Sequence, residues 1–70
     1  MKEYILTKTD GDFPVGSTMF IDGNYAYIEY EGDHPVGYDA ESIMYKGVAH
    51  RVIGFRWSFL KGYGYEAKEV

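Results

Sequence analysis

Gly11-Asp12-Phe13-Pro14-Val15-Gly16 and Gly32-Asp33-His34-Pro35-Val36-Gly37 are one six-residue phrase written twice, identical at five positions of six and holding both prolines of the chain. In each copy proline fixes its own φ and pushes the preceding residue into an extended conformation, while the closing glycine permits positive φ. Aspartates that bond their own backbone complete the turn chemistry. The phrase therefore predicts a rigid corner rather than a linker. Each corner is followed by an apolar run, a glycine-containing turn and a second apolar run, so the chain reads as two loop-plus-hairpin units. A functional reading of the same phrase lets Asp12, Asp33 and His34 converge on a cation, a ligand or a basic partner. Turn chemistry alone is the simpler account.

Working outward, Glu3–Lys8 has the β-branched and aromatic content of a first strand. Behind the first corner, Ser17–Ile21 reads as a strand. Asp22-Gly23-Asn24 follows as a hairpin turn, for which Asp-Gly predicts type I′ geometry. The return strand, Tyr25–Glu31, alternates. Tyr25, Tyr27, Glu29 and Glu31 share one face, Ala26, Ile28 and Tyr30 the other, and the second set is the expected core face.

Behind the second corner, two readings of the sequence compete. Asp39 could N-cap one short helical turn within 39–46, closed by Gly47, or the segment is a strand leading into a Lys46-Gly47 turn. Aligning Met19-Phe20-Ile21-Asp22-Gly23 with Ile43-Met44-Tyr45-Lys46-Gly47 favours the strand. Val48–Leu60 is the longest β-prone run, with Ile53, Phe55, Trp57 and Phe59 as a core stripe and Gly54 as a bend or bulge. Lys61–Tyr65 predicts a turn exposing Tyr63 and Tyr65. Glu66–Val70 is a polar segment, either a short edge strand or a frayed tail. Five to six short strands with regularly spaced turns predict a mainly β fold: a small antiparallel barrel or sandwich, SH3-like, in a single domain covering residues 1–70.

Composition narrows the function classes. A chain of 70 residues buries only about 60% of its unfolded surface. It contains no cysteine for a disulfide or a zinc thiolate, and leans instead on aromatic residues, 19% of the total. The first residues pass directly into a strand pattern with no signal-peptide features, and no segment has the ~18–20 apolar residues of a membrane span, so a cytoplasmic protein is expected. His34 and His50 have no metal-ligand spacing. No serine or threonine sits in a nucleophile context, so neither an enzyme nor a cofactor is expected.

Charge is unevenly placed. Residues 10–41 carry Asp10, Asp12, Asp22, Glu29, Glu31, Asp33, Asp39 and Glu41 and no lysine or arginine, whereas 42–65 carry Lys46, Arg51, Arg56 and Lys61 and no acid; the net charge is −4. The expectation is a non-enzymatic protein-binding module. Its candidate contact residues are Asp12, Tyr25, Tyr27, Asp33, His34, Tyr38 and Glu41. Small size and acidity fit a viral or mobile-element inhibitor that blocks a host protein in the host cytoplasm. The alternative is a small barrel binding single-stranded nucleic acid through Arg51, Arg56, Lys61, Tyr63 and Tyr65, since arginines interleaved with aromatics suit phosphate contact and base stacking. A third reading is an assembly protein whose exposed β-edges pair chains into a homodimer or larger oligomer.

Overall fold

The computed structural model describes residues 1–33 and 35–70; His34 and the role assigned to it lie outside the described residues. The chain forms β1 (Lys2–Lys8), β2 (Thr18–Asp22), β3 (Tyr25–Glu29), β4 (Glu41–Tyr45), β5 (Val48–Arg56), α1 (Trp57–Gly62) and β6 (Glu66–Glu69). The six strands make one antiparallel sheet in the order β4-β5-β3-β2-β1-β6. The sheet is open, with β4 and β6 at its edges, and does not close into the barrel suggested by the strand count.

Both repeated phrases are corners. In the first, the Ser17 N–H donates to the Pro14 carbonyl at 3.2 Å, and in the second the Tyr38 N–H donates to the Pro35 carbonyl at 3.4 Å. The third residue of each four-residue turn is a glycine at positive φ, Gly16 at 95° and Gly37 at 90°, a conformation that strains a residue bearing a Cβ. The first corner is also tied to β1, because Leu6 and Gly16–Ser17 exchange backbone hydrogen bonds of 2.8 and 2.9 Å. This seats Phe13 in the core.

The hairpin turns divide differently from expectation. The β2–β3 loop is Gly23-Asn24, because Asp22 already pairs with Tyr25. Its positive φ falls on Gly23 and not on Asn24, which is the type II′ pattern rather than type I′. The β4–β5 turn, Lys46-Gly47, has both residues at positive φ and supplies the type I′ pattern. Residues 41–45 are accordingly strand, with no helical turn at 39–46.

The alternation read from β3 holds: Ala26 and Ile28 are fully buried. They join Leu6, Met19 and Ile53 on one face of the sheet, covered by Phe13 from the first corner and by Leu60 and Tyr65. The opposite face has its own small packed centre. Phe20 and Val52 are buried there, and the Phe20 ring lies 4.7 Å from Tyr45 and 4.8 Å from His50. Tyr45 belongs to the outermost strand, three positions from β2 in the sheet, so this end of the sheet curls over its own face. His50 sits half-buried in the curl and donates from Nδ1 to Glu29 Oε2 at 2.5 Å.

The β-prone run does not continue to Leu60. β5 ends at Arg56, and Trp57–Gly62 is helical. What ends the helix is a Schellman motif. The Tyr65 N–H reaches the Leu60 carbonyl and the Gly64 N–H the Lys61 carbonyl, both at 3.0 Å, with Gly64 at a φ of 89°. Leu60 and Tyr65 then make the hydrophobic contact that accompanies such caps. The helix breaks the expected core stripe: Ile53 is buried, Phe55 and Trp57 are half-buried, and Phe59 is 52% exposed. The cap also corrects the placing of Tyr65, which is buried rather than exposed, whereas Tyr63 is exposed. Beyond it, Glu66–Glu69 takes the edge-strand alternative and pairs with β1, with an irregularity between Leu6 and Lys8.

Gly54 forms no bulge, since the β3–β5 register runs without a shift through its pairing with Tyr27, and β5 passes from one neighbour to the other at Val52. A Cβ at Gly54 would lie 2.5 Å from Glu41 Oε2 and 3.3 Å from Cε1 of Tyr27, its cross-strand neighbour. Gly54→Ala should therefore destabilise the fold by about 1–3 kcal/mol through overpacking. Because the closest atom is the end of a flexible carboxylate, Glu41→Ala in the same chain should recover part of that loss. Urea unfolding of the two single variants and the double checks this; strictly additive costs would show that Glu41 does not occupy the space above Gly54.

Candidate functional site

The residues expected to form one contact surface fall into two groups on opposite faces of the sheet. Tyr25, Tyr27 and Glu41 lie on the curled face. The two tyrosine rings stack with centroids 6.0 Å apart, and Tyr27 and the Glu41 carboxylate both approach Gly54. Asp12 and Tyr38 lie towards the core face, where the Tyr38 hydroxyl donates to Asp12 Oδ2 at 3.2 Å and its ring packs on Phe13 and Phe55.

Asp33 joins Asp12 at the end of the sheet. The two corners, 21 residues apart in sequence, line one cleft of about 490 Å³. Asp12, Phe13, Pro14, Val15 and Gly16 come from the first copy, and Asp33 and Pro35 from the second. Glu29, Tyr30 and Glu31, the end of β3 and its continuation, form the wall between them. Asp12, Glu29, Glu31 and Asp33 belong to its lining, Glu29 with its carboxylate bonded to His50, and among the described residues no lysine or arginine lines it. Sequence reasoning paired Asp12 with Asp33 but did not include Glu29 and Glu31; their place beside the second corner in the sequence was the available signal.

On the core side of Asp12 lies a second, smaller hollow of about 170 Å³. Its walls include Tyr38, Phe55, Phe59 and Tyr63, its floor is Phe13, Leu60 and Tyr65, and Asp10 and Asp12 stand at its rim. The Asp10-Gly11-Asp12 turn is built by its own side chains: Asp10 Oδ1 accepts from the Asp12 N–H at 3.0 Å and Thr9 Oγ1 from the Gly11 N–H at 3.2 Å. Asp10 Oδ1 also accepts from the buried Tyr65 hydroxyl at 2.5 Å, tying the first loop to the end of the chain.

These bonds set the protonation states. The Tyr65 hydrogen bond, helped by the Asp12 N–H, holds the Asp10 carboxyl below its ordinary range. Burial, with Asp10 second, pushes the Tyr65 phenol up, and burial followed by the Asp12 hydrogen bond does the same for Tyr38. The rim is therefore an anion beside two neutral phenols across the physiological range.

The basic residues of the nucleic-acid reading divide: Arg56 and Lys61 share a cleft, which Arg51 does not line. Arg51 lies over the Tyr30 ring at 5.4 Å, and Arg56 sits cross-strand from Tyr25. Lys61 lies over Trp57 at 5.8 Å, sharing a cleft of about 280 Å³ with Arg56, Gly23 and Asn24. Tyr63 belongs to the aromatic hollow and Tyr65 to the core.

Among the described residues no group of three or more histidines, cysteines or carboxylates is placed to hold a metal ion, and no helix is long and apolar enough to cross a membrane. Scans against protein-family models, curated proteins and solved structures each found no match.

A phenol whose pKa is raised on folding contributes stability that is whole below its unfolded value of about 10 and is lost as pH climbs beyond it. Asp10 has the opposite sign: its contribution is whole above the ordinary carboxylate value of about 4 and is lost as pH falls through its lowered one. Thermal midpoints followed by circular dichroism should drop as pH rises above about 10. The drop should be shallower in Tyr65→Phe. An unchanged alkaline slope in that variant would show that Tyr65 does not carry the effect.

Proposed function

We propose that this chain is a small non-enzymatic protein-binding module whose contact surface is the acidic cleft between its two proline corners. The observation that carries the reading is the convergence of both copies of the repeated phrase on one cleft lined by Asp12, Glu29, Glu31 and Asp33, with no lysine or arginine among the described residues of its lining. A partner offering lysines and arginines complements such a surface in sign, which steers encounter and selects against acidic competitors. The corners are braced by their own turn hydrogen bonds, so little ordering cost attends binding. We keep the SH3-like likeness in one sense, as a small bent sheet that works through its connecting loops. Action in the cytoplasm, as a viral or mobile-element inhibitor that blocks a host protein, belongs to the same proposal and rests on size, acidity and the lack of cysteine.

The single-stranded nucleic-acid alternative has less to support it. Tyr65 is committed to the core, and Arg51, over the Tyr30 ring, does not line the cleft that Arg56 and Lys61 share. The assembly alternative draws on the open edge at β4.

Affinity capture from host lysate, followed by titration of the recovered partner, tests the main reading. Glu31→Lys combined with Asp33→Lys, both exposed positions that do not line the aromatic hollow, should weaken binding roughly tenfold or more and invert its salt dependence. Tyr25→Ala combined with Glu41→Lys, on the opposite face, should leave it unchanged. If only the second pair weakens binding, the curled face is the contact surface; if neither does, acidity is not the basis of recognition.

A further inference from the structure

The aromatic hollow beside Asp12 is distinct from the acidic cleft in size, chemistry and lining. Four rings stand around it at changing angles. Tyr38 meets Phe55 edge-on, with centroids 5.3 Å apart and planes at 74°. Phe55 and Phe59 are parallel within 3° at 6.3 Å, and Phe59 meets Tyr63 at 4.9 Å and 53°. Phe59 and Tyr63 hold this position while 52% and 60% exposed, so two large rings are kept at the surface beside a hollow instead of filling it.

The electrostatics of the hollow have one sign. Aromatic faces are negative at their centres. Asp10 and Asp12 add carboxylates at the rim, each held by a tyrosine hydroxyl, and among the described residues no lysine or arginine contributes to the lining. Lys61 lies on the same helix but packs over Trp57. Aromatic walls with a negative rim are an arrangement that attracts cations.

Size and hydration choose among cations. At about 170 Å³ the hollow is below the ~300 Å³ at which pockets accept drug-sized ligands. A bare ammonium is strongly hydrated and needs several acceptors to replace its water; the hollow offers these only at one side of its rim. An alkylated ammonium carries little tightly held water and spreads its charge over methyl groups that fit ring faces. We propose that the hollow formed by Tyr38, Phe55, Phe59 and Tyr63, with Asp10 and Asp12 at its rim, binds a quaternary ammonium group. The group could be carried by a trimethylated lysine or by a choline-type head. The inference goes beyond the acidic-cleft reading and stands without it, because the reversals at Glu31 and Asp33 leave the hollow's lining intact.

The test is a nuclear magnetic resonance titration of the full chain, following the ring signals of Tyr38, Phe59 and Tyr63. The probes are tetramethylammonium, choline, trimethyllysine amide, lysine amide and 3,3-dimethylbutanol, the neutral isostere of choline. Saturable shifts are expected with the quaternary cations, with choline about tenfold tighter than its neutral isostere. Lysine amide should bind more weakly than its trimethylated form, and the tighter of choline and trimethyllysine identifies the source. Phe59→Ala and Tyr63→Ala, at exposed positions where folding is checked by an unchanged amide spectrum elsewhere, should abolish the response, and Asp12→Asn should weaken it severalfold. A response that fails to saturate, an isostere that binds as well as the cation, or full binding after both ring deletions would overturn the proposal.

Discussion

A single sheet has two faces, and a chain this short has little with which to cover them. That constraint shapes every other feature of the molecule. One face is covered by a loop residue, Phe13, and by the short helix that carries Leu60; the other is covered by the sheet curling until Tyr45 reaches Phe20. Neither cover is large, so each has to be fastened. The first corner is hydrogen-bonded to β1, Tyr65 is held to Asp10, and Gly54 is kept bare so that Tyr27 and Glu41 can close over it.

The fastenings and the candidate sites are made by the same residues. Asp10 stabilises the join between the first loop and the end of the chain, and is also a rim charge of the aromatic hollow. Phe13 fills the core, forms the floor of that hollow and lines the acidic cleft. In so small a domain the first loop serves both the core and the surface, and Asp12 stands between two concavities of different character.

How far the sequence could be read follows from what kind of signal each element carries. The alternation of Tyr25–Glu29 is a local pattern with a period that only a half-buried strand satisfies, and its faces were legible. The proline corners and the Lys46-Gly47 turn were legible because backbone restrictions act within a few residues. The helix at Trp57–Gly62 was hidden: Trp57, Ser58 and Phe59 continue a β-prone run, Arg56 offers no side-chain cap, and six residues are too few to be stable alone. Packing of Leu60 and the cap at Gly64 create it, and the burial of Tyr65 follows from that cap. The turn at Asp22-Gly23 shows how far a slip of one residue reaches. With Asp22 still in the strand, glycine becomes the first loop residue and the turn changes class. The candidate site was legible as a list of acids but not as a place, because it depended on which loops the sheet brings together.

The two edges of the sheet are unlike each other. Along β6 the residues Glu66, Lys68 and Glu69 present charge, and Lys2 and Lys8 on the neighbouring strand pair with Glu69 and Glu66 at 3.8 Å. Along β4 the only charge is Glu41 at its start, and Met44 is 64% exposed. Charged edges resist the addition of further strands, and plain ones permit it. A sheet guarded on one side and plain on the other has a single place for growth, so two copies that met through β4 would each have used it. Self-association of this fold would then stop at a two-fold pair, and light scattering that showed species growing without limit would contradict it.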